Sequence, residues 1–340
     1  MPDPVVHRLR VAAVITETAE SCSLVFEAPD EFRYAPGQFL TLKVEPPTGG
    51  LARCYSLASS PHLGEAPTVT VKRVAGGVGS NWICDHVAAG SIIETLAPSG
   101  VFTPRSLDSD LLLLAGGSGI TPVMSILKSA LHAGSGRIAL LYANQDERSV
   151  IFAEQLTDLT RAHPERLVVI HWLTSVQGLP DVAMLQALAQ PYSGYDAFVC
   201  GPEPFMDAVT EALGRSGFPR DHVHVERFTS LTGDPFAANA QEPVIEDAGD
   251  AATLEVDLDG AQSSHIWPRS RRLLDVLLDA GLEAPYSCRE GACSACACRV
   301  LDGEVKMLRN EVLEEQDLAE GYLLACQAVP VTDTVKVTYS

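Results

Sequence analysis

Four of the nine cysteines in this 340-residue chain are spaced to hold iron. Cys288, Cys293 and Cys296 read C-x4-C-x2-C, and Cys326 follows thirty residues later. That is the ligand pattern of a plant-type [2Fe–2S] cluster, in which four thiolates converge on one small rhomb. Gly291, Ala292, Ser294 and Ala295 are small enough to let the loop fold back, so that sulfurs and backbone N–H groups face the same centre. Buried structural thiols, disulfides and a zinc site are the alternatives. Zinc knuckles use paired short spacings, whereas this chain has one C-x2-C and two singletons. Cys298 is surplus to the spacing and reads as a small buried residue.

Other stretches carry chemistry of a different kind. Arg53-Cys-Tyr-Ser56 ends a strand with a guanidinium, a phenol and a hydroxyl side by side. Gly76-Gly-Val-Gly-Ser-Asn81 opens a short helix whose free N–H groups suit an anion such as a pyrophosphate. Gly116-Gly-Ser-Gly-Ile-Thr-Pro122 stands between an apolar strand and a helix. It departs from G-x-G-x-x-G because Pro122 stands near the third glycine position, but its place in the chain fits a nucleotide site.

Three textures position these residues. From about 5 to 105 short alternating strands are broken by Gly and Pro, at the spacing of a small antiparallel barrel. Asn81–Val87 is the one helix-like piece there. From 108 to 231 apolar strands (Asp110–Ala115, Arg137–Ala143, Leu167–Trp172, Asp196–Cys200) alternate with helices, one expected over Val150–Leu159. That alternation predicts a parallel α/β sheet with its ligand at the carboxyl ends of the strands. Residues 232–250 lack periodicity and read as a linker. In 251–340 a strand, the helix Ser270–Gly281, the cysteine loop and a closing strand Asp333–Thr338 follow.

The 44 acidic and 24 basic residues leave a net charge of −20. That argues against nucleic acid and anionic membrane surfaces, and suits a basic protein partner or plain solubility. Residues 251–340 hold 15 Asp/Glu against 8 Lys/Arg, a net of −7, with Glu311, Glu314, Glu315 and Asp317 in one run read as helical over Glu311–Leu318. No run is long and apolar enough for a membrane span, and no signal peptide is expected at Met1. With five cysteines clustered after residue 287, the composition predicts a reducing cytoplasm.

Arg53-Cys-Tyr-Ser56, Gly79-Ser80, Gly117–Pro122, Cys200-Gly-Pro202 and the cysteine loop stand in one order. With them the chain resembles the ferredoxin–NADP reductase superfamily, and within it the reductase components of multicomponent oxygenases that carry a C-terminal plant-type ferredoxin. Val71-Lys-Arg-Val74, Gly79-Ser-Asn-Trp82, Ala143-Asn144 and Asp146-Glu-Arg-Ser149 are worded like the reductases of 3-ketosteroid 9α-hydroxylase systems. The resemblance spans essentially the whole chain. It implies three domains: a flavin-binding β-barrel (5–105), a nucleotide-binding α/β domain (108–231) and an α+β β-grasp ferredoxin domain (251–340).

The resemblance also implies roles. Arg53 pairs with the flavin diphosphate, Tyr55 stacks on the isoalloxazine, and Ser56 hydrogen-bonds near the flavin N5 where hydride arrives. Lys72, Val74, Gly79 and Ser80 hold the ribityl chain and pyrophosphate. Glu226 and Phe228 stand beside the flavin ring in an FAD-type ending. Gly117, Gly119, Thr121, Pro122, Cys200, Gly201 and Pro202 form the nicotinamide side, with Ser56, Cys200 and Glu226 nearest the chemistry. Asp146, near the end of the second α/β strand, repels a 2′-phosphate and favours NADH over NADPH, while Arg148 pulls the other way. Electrons are expected to pass from NADH through FAD and the [2Fe–2S] cluster to a terminal oxygenase, a Rieske-type steroid 9α-hydroxylase. The reductase of a phenylacetyl-CoA epoxidase or aromatic-ring hydroxylase is the alternative, and a redox-sensing module is a third reading.

Overall fold

The computed structural model describes residues 6–47, 49–236, 251–258, 260–313 and 315–339. Alternation of apolar and polar residues gives the first strands one buried face, and the sheet they form curls on itself. Its strands are β1 (Val6–Thr18), β2 (Ser21–Glu27), β3 (Phe39–Val44), β4 (Leu51–Ser56), β5 (Thr68–Lys72) and β6 (Ile92–Leu96). They lie in the order β4-β3-β6-β1-β2-β5, each pair antiparallel. A bridge from Leu57 to Val69 joins the two outer ends, which closes the barrel. Leu9, Val11, Leu24, Phe26, Leu40, Leu42, Val69 and Val71 fill it. Helix α1 (Val78–His86) begins three residues earlier than the sequence pattern suggests and packs Ile83 into that core.

The second unit is a five-stranded parallel sheet. It comprises β7 (Leu111–Gly116), α2 (Ile120–Ala133), β8 (Ile138–Asn144), α3 (Ala153–Ala162), β9 (Leu167–Leu173), α4 (Thr174–Gln177), α5 (Val182–Ala189), β10 (Asp196–Cys200), α6 (Glu203–Arg215) and β11 (Val223–Glu226). The order is β11-β10-β7-β8-β9, so the chain reverses its direction of travel between β7 and β10. Every residue of β7 is buried, as a central parallel strand requires. Leu111, Leu113 and Ala115 face α2, and Leu112 and Leu114 face α5 and α6. Helix α3 starts three residues later than expected. Asp146 and Ser149 form a capping box around a tight turn, and Phe152 then adopts φ 62°, so Val150–Phe152 are spent before the helix begins. No reading of the sequence anticipated α4 and α5.

The last unit is the β-grasp. Its elements are β12 (Ala251–Leu258), β13 (Ala261–Pro268), α7 (Leu273–Asp279), β14 (Ala297–Asp302), β15 (Val305–Met307), α8 (Glu315–Ala319), β16 (Tyr322–Leu324), β17 (Ala328–Pro330) and β18 (Thr334–Thr338). The mixed sheet runs β13-β12-β18-β14-β16, with β12 and β18 parallel neighbours at its centre. Trp267 is fully buried, and its indole N–H donates to the Arg271 carbonyl at 2.8 Å. The run around Glu311 is helical only from Glu315. Before that, Asn310 turns the chain by accepting from the N–H groups of Val312 and Leu313. Glu314 and residues 237–250 of the expected linker lie outside the described residues.

Polar contacts fix the first two units to each other. Ser125 Oγ donates to the Ser59 carbonyl at 2.6 Å, Ser60 and Ser129 hydroxyls meet at 2.8 Å, and Lys128 pairs with Glu65 at 2.5 Å. Among the described residues no helix is long and apolar enough to cross a membrane.

Candidate redox site

The cysteine loop spans α7 to β14, and Cys326 joins it from the turn between β16 and β17. All four thiols are free and buried. Cys288 touches both Cys293 and Cys326, and Cys326 also touches Cys296, so the four sulfurs form one linked set. Hydrogen bonds from Cys293 and Cys326 hold the Cys288 thiol well below the usual range, while donating those bonds, and then burial, push Cys293 and Cys326 up. Backbone N–H groups of Glu290 and Ala292 also turn toward the Cys288 sulfur, the first at 3.4 Å. Such donors stabilise anionic sulfur, which is what an iron–sulfur group presents.

The loop reaches this shape through backbone that few residues accept. Arg289 has φ 58° and Gly291 φ 77°. A Cβ on Gly291 would lie 2.8 Å from the Arg309 carbonyl oxygen. Arg289 is tied to Asp275 at 2.5 Å, and its carbonyl accepts from Gln327 Nε2 at 2.9 Å. The four linked thiols, spaced C-x4-C-x2-C with a distant fourth, fit the dinuclear group rather than the paired short spacings of zinc. Cys298 sits on β14 in the ferredoxin core near the Tyr339 hydroxyl, with burial raising its thiol.

The loop is pressed onto the flavin barrel. Cys288, Ala292, Cys293 and Ala295 pack with Phe39, Ala52 and Leu231, flanked by Cys54 and Phe236. Thr41 Oγ1 meets Ser287 Oγ at 2.6 Å, and Ser99 Oγ donates to the Tyr286 carbonyl at 3.1 Å. Glu290 accepts from the N–H groups of Thr232 and Gly233, at 2.9 and 2.8 Å, and from the Thr232 hydroxyl. Thr229 donates its hydroxyl to the Ala292 carbonyl. Sequence reasoning missed this strap: residues 229–236 show no period because their contacts are with two other domains rather than with an element of their own.

On the barrel side, Arg53, Tyr55 and Ser56 lie along β4, and Lys72 ends β5. Arg53 Nη1 donates to the Ala52 and Leu231 carbonyls at 2.7 and 3.1 Å, so this guanidinium is braced by the strap. Gly79 lies against its stem, where an added Cβ would stand 3.2 Å from Arg53 Cγ. The Ser80 hydroxyl accepts from the Val74 N–H at 3.1 Å, fastening the turn to α1. Burial raises the Tyr55 phenol, and Ser56 is buried. Val74 and Phe228 are exposed.

Across from them, β7 and β10 end together. A Cβ on Gly119 would lie 2.1 Å from the Cys200 carbonyl oxygen, so only glycine lets α2 start this close to β10. A Cβ on Gly201 would lie 3.0 Å from Gly116 Cα. Thr121 and Pro122 are in the first turn of α2, and Pro202 precedes α6. The crevice between the two strand ends is the topological switch point, where parallel sheets bind nucleotides. Lys72 Nζ reaches toward Gly117, bringing the barrel to the mouth of that crevice. Glu226 pairs in register with Cys200, and burial pushes its carboxyl up to about 8 and the Cys200 thiol well up. Asp146 is farther along β8's exit, where its Oδ1 accepts from the Ser149 N–H at 2.9 Å.

The acidic run is less free than its composition suggests. Asp317 and Glu320 pair with Arg220 of the α/β unit, Glu311 with Arg309, and Glu290 faces the strap.

Comparison with known proteins decides among these chemistries. Residues 8–103 match the oxidoreductase FAD-binding domain family, 113–211 the oxidoreductase NAD-binding domain family and 257–331 the 2Fe-2S iron-sulfur cluster binding domain family. The chain is 56% identical over 337 residues to the ferredoxin reductase component of a 3-ketosteroid-9-alpha-monooxygenase from Rhodococcus rhodochrous, covering 97% of this chain and 96% of the relative. The chain belongs to the ferredoxin reductase components of oxygenases. It is an oxidoreductase with FAD, NAD and [2Fe–2S] domains. A more distant relative belongs to the 1,2-phenylacetyl-CoA epoxidase of Escherichia coli, 33% identical with 98% and 97% of the two chains covered. Phthalate dioxygenase reductase shares the fold at TM-score 0.59 and 23% identity, covering 98% of both chains. A type IV self-sufficient cytochrome P450 monooxygenase matches at TM-score 0.65 and 24% identity, covering 98% of this chain and 41% of that one.

Proposed function

We propose that this reductase takes electrons from NADH and delivers them to the terminal oxygenase of a 3-ketosteroid 9α-hydroxylase system in the cytoplasm. The observation that carries the internal route is the seating of the cysteine loop on β3 and β4, the strands that bear Arg53, Tyr55 and Ser56. Electron transfer falls steeply with distance, and this packing puts the cysteine loop directly against the strands proposed to hold the flavin. When bound, FAD accepts two electrons at once from a nicotinamide and the cluster passes them on one at a time.

The chain's own residues do the positioning. Arg53 and the first turn of α1 suit the flavin diphosphate, because a guanidinium and free helix N–H groups both favour an anion. Tyr55 offers a flat apolar face, and Ser56 a buried hydroxyl beside it. The crevice at the ends of β7 and β10 is where a nicotinamide is proposed to lie against the barrel, with Lys72 at the mouth and Cys200 and Glu226 behind. Glu226, held protonated near neutral pH by burial, keeps an uncompensated charge out of that site. The Asp146 carboxylate, just past β8, would disfavour a 2′-phosphate, which supports NADH.

The steroid system is preferred to the epoxidase because identity is 56% against 33% over the same span. Mixing the NADH-reduced holoprotein with purified steroid 9α-hydroxylase oxygenase and, separately, with the epoxidase's oxygenase tests this. The first should be reduced faster; equal or reversed rates would contradict the assignment.

A further inference from the structure

The flavin barrel also holds two thiols outside the electron route. Cys22 on β2 and Cys84 on α1 face each other with their Sγ atoms 3.5 Å apart, 62 residues apart in sequence, and both are free. Cys22 is buried and Cys84 half-buried. Their setting is rigid: Cys22 lies opposite Val71 of β5, and Cys84 Sγ sits 3.9 Å from the Val71 carbonyl. Arg73, just past β5, is held by Asp85 at 2.7 Å, beside the pair. The contact with Cys22, helped by the Arg73 charge, draws the Cys84 thiol below the ordinary range, while the same contact and burial push the Cys22 thiol up. Cys84 is thus the more exposed thiol and has Arg73 close by, and its neighbour Cys22 is buried and within reach. That is the arrangement of an attacking and a resolving thiol.

We propose that Cys22 and Cys84 are a modification site: a dithiol that a hydroperoxide oxidises to a disulfide linking α1 to β2. The Cys84 thiolate attacks the terminal peroxide oxygen, the O–O bond breaks, and the leaving hydroxide (an alkoxide from an alkyl hydroperoxide) takes up the proton that the Cys84 thiol gave up, to become water or an alcohol. The sulfenic acid formed at Cys84 is then attacked by the Cys22 sulfur. An S–S bond forms, the S–O bond breaks, and a water leaves with the thiol proton. The two thiols lose two electrons and the peroxide gains them. The sulfurs must close from 3.5 Å to about 2 Å. Helix α1 also carries Gly79 and Ser80, so the bond would anchor the element that the flavin diphosphate is proposed to meet. The site goes beyond the electron-transfer reading and stands whichever oxygenase is the partner.

The test is to treat the holoprotein with hydrogen peroxide, alkylate the remaining thiols, digest without reduction and identify linked peptides by mass spectrometry. The expected result is a peptide pair joined through Cys22 and Cys84, with loss of both thiols to alkylation, restored by a thiol reductant. Cys22→Ser should leave a sulfenic acid on Cys84 that dimedone traps, and Cys84→Ser should abolish the link. Alkylation of both residues as separate thiols, at peroxide levels that oxidise free cysteine, would overturn the proposal. So would a link from Cys84 to any other cysteine, or dimedone capture at Cys22 of Cys84→Ser in place of Cys84 of Cys22→Ser.

Discussion

The hydroxyl of Thr41 in the flavin barrel meets the hydroxyl of Ser287, the residue before the first cluster cysteine, at 2.6 Å across 246 residues of sequence. Both side chains are buried. Such a contact fixes the register of the cluster loop on β3, and breaking it strands a buried hydroxyl at a cost of about 1–3 kcal/mol. Thr41→Val should therefore slow NADH-driven reduction of cytochrome c, which draws on the cluster. Reduction of ferricyanide, which draws on the flavin, should be nearly unchanged. Adding Ser287→Ala, which removes the stranded partner, should recover part of the loss. Equal slowing of both acceptors would show that the contact serves the flavin site instead.

The cysteine loop separates ligands from bystanders. Cys293 belongs to the linked sulfur set, and Cys298 lies on β14 in the domain core. Cys298→Ser should leave the visible absorption of the cluster almost intact, and Cys293→Ser should abolish it. Comparable loss in both variants would refute the ligand assignment.

Asp146 both caps a turn and carries the charge proposed to reject NADPH. Asn retains a capping oxygen without the charge, so Asp146→Asn separates the two roles. We expect kcat/KM for NADPH to rise by about tenfold, or about 1.4 kcal/mol, with NADH little changed. A wild type that already prefers NADPH would end this account of specificity.

Much of this was legible because it is local. The strand alternation follows from residues close in sequence, and the strands expected at Asp110–Ala115, Arg137–Ala143, Leu167–Trp172 and Asp196–Cys200 appear within a residue of those bounds. What escaped is set by distant partners. Residues 229–236 hold the loop through Glu290 and Arg53, yet nothing in their composition marks them. The acid run from Glu311 reads as an open docking face, but Arg220, from another domain, neutralises part of it. Helix α3 starts late because a side chain–backbone capping box outbids the apolar period, a choice made by two short polar residues.

Glu226 links burial to pH. Its carboxyl is raised to about 8 from an ordinary value of 4.5, so the unfolded state gives up its proton first as pH rises. Stability relative to Glu226→Gln should be greatest below about pH 4.5 and fall through the window up to about 8, by at most about 1.4 kcal/mol per pH unit. Denaturant titrations of the flavin-free proteins at pH 5 and 8, about the two ends of that window, should show Gln gaining on Glu at the higher pH. A difference that is flat with pH would mean that the carboxyl is solvated.

The central claim is that electrons reach the oxygenase through the seated cluster. Its most direct test is a rapid-mixing experiment in which Cys293→Ser, flavin-loaded, is reduced with NADH and mixed with steroid 9α-hydroxylase oxygenase, beside the wild type. The account predicts normal flavin reduction in both and transfer to the oxygenase in the wild type alone. Oxygenase reduction by the cluster-free variant at the wild-type rate would contradict it.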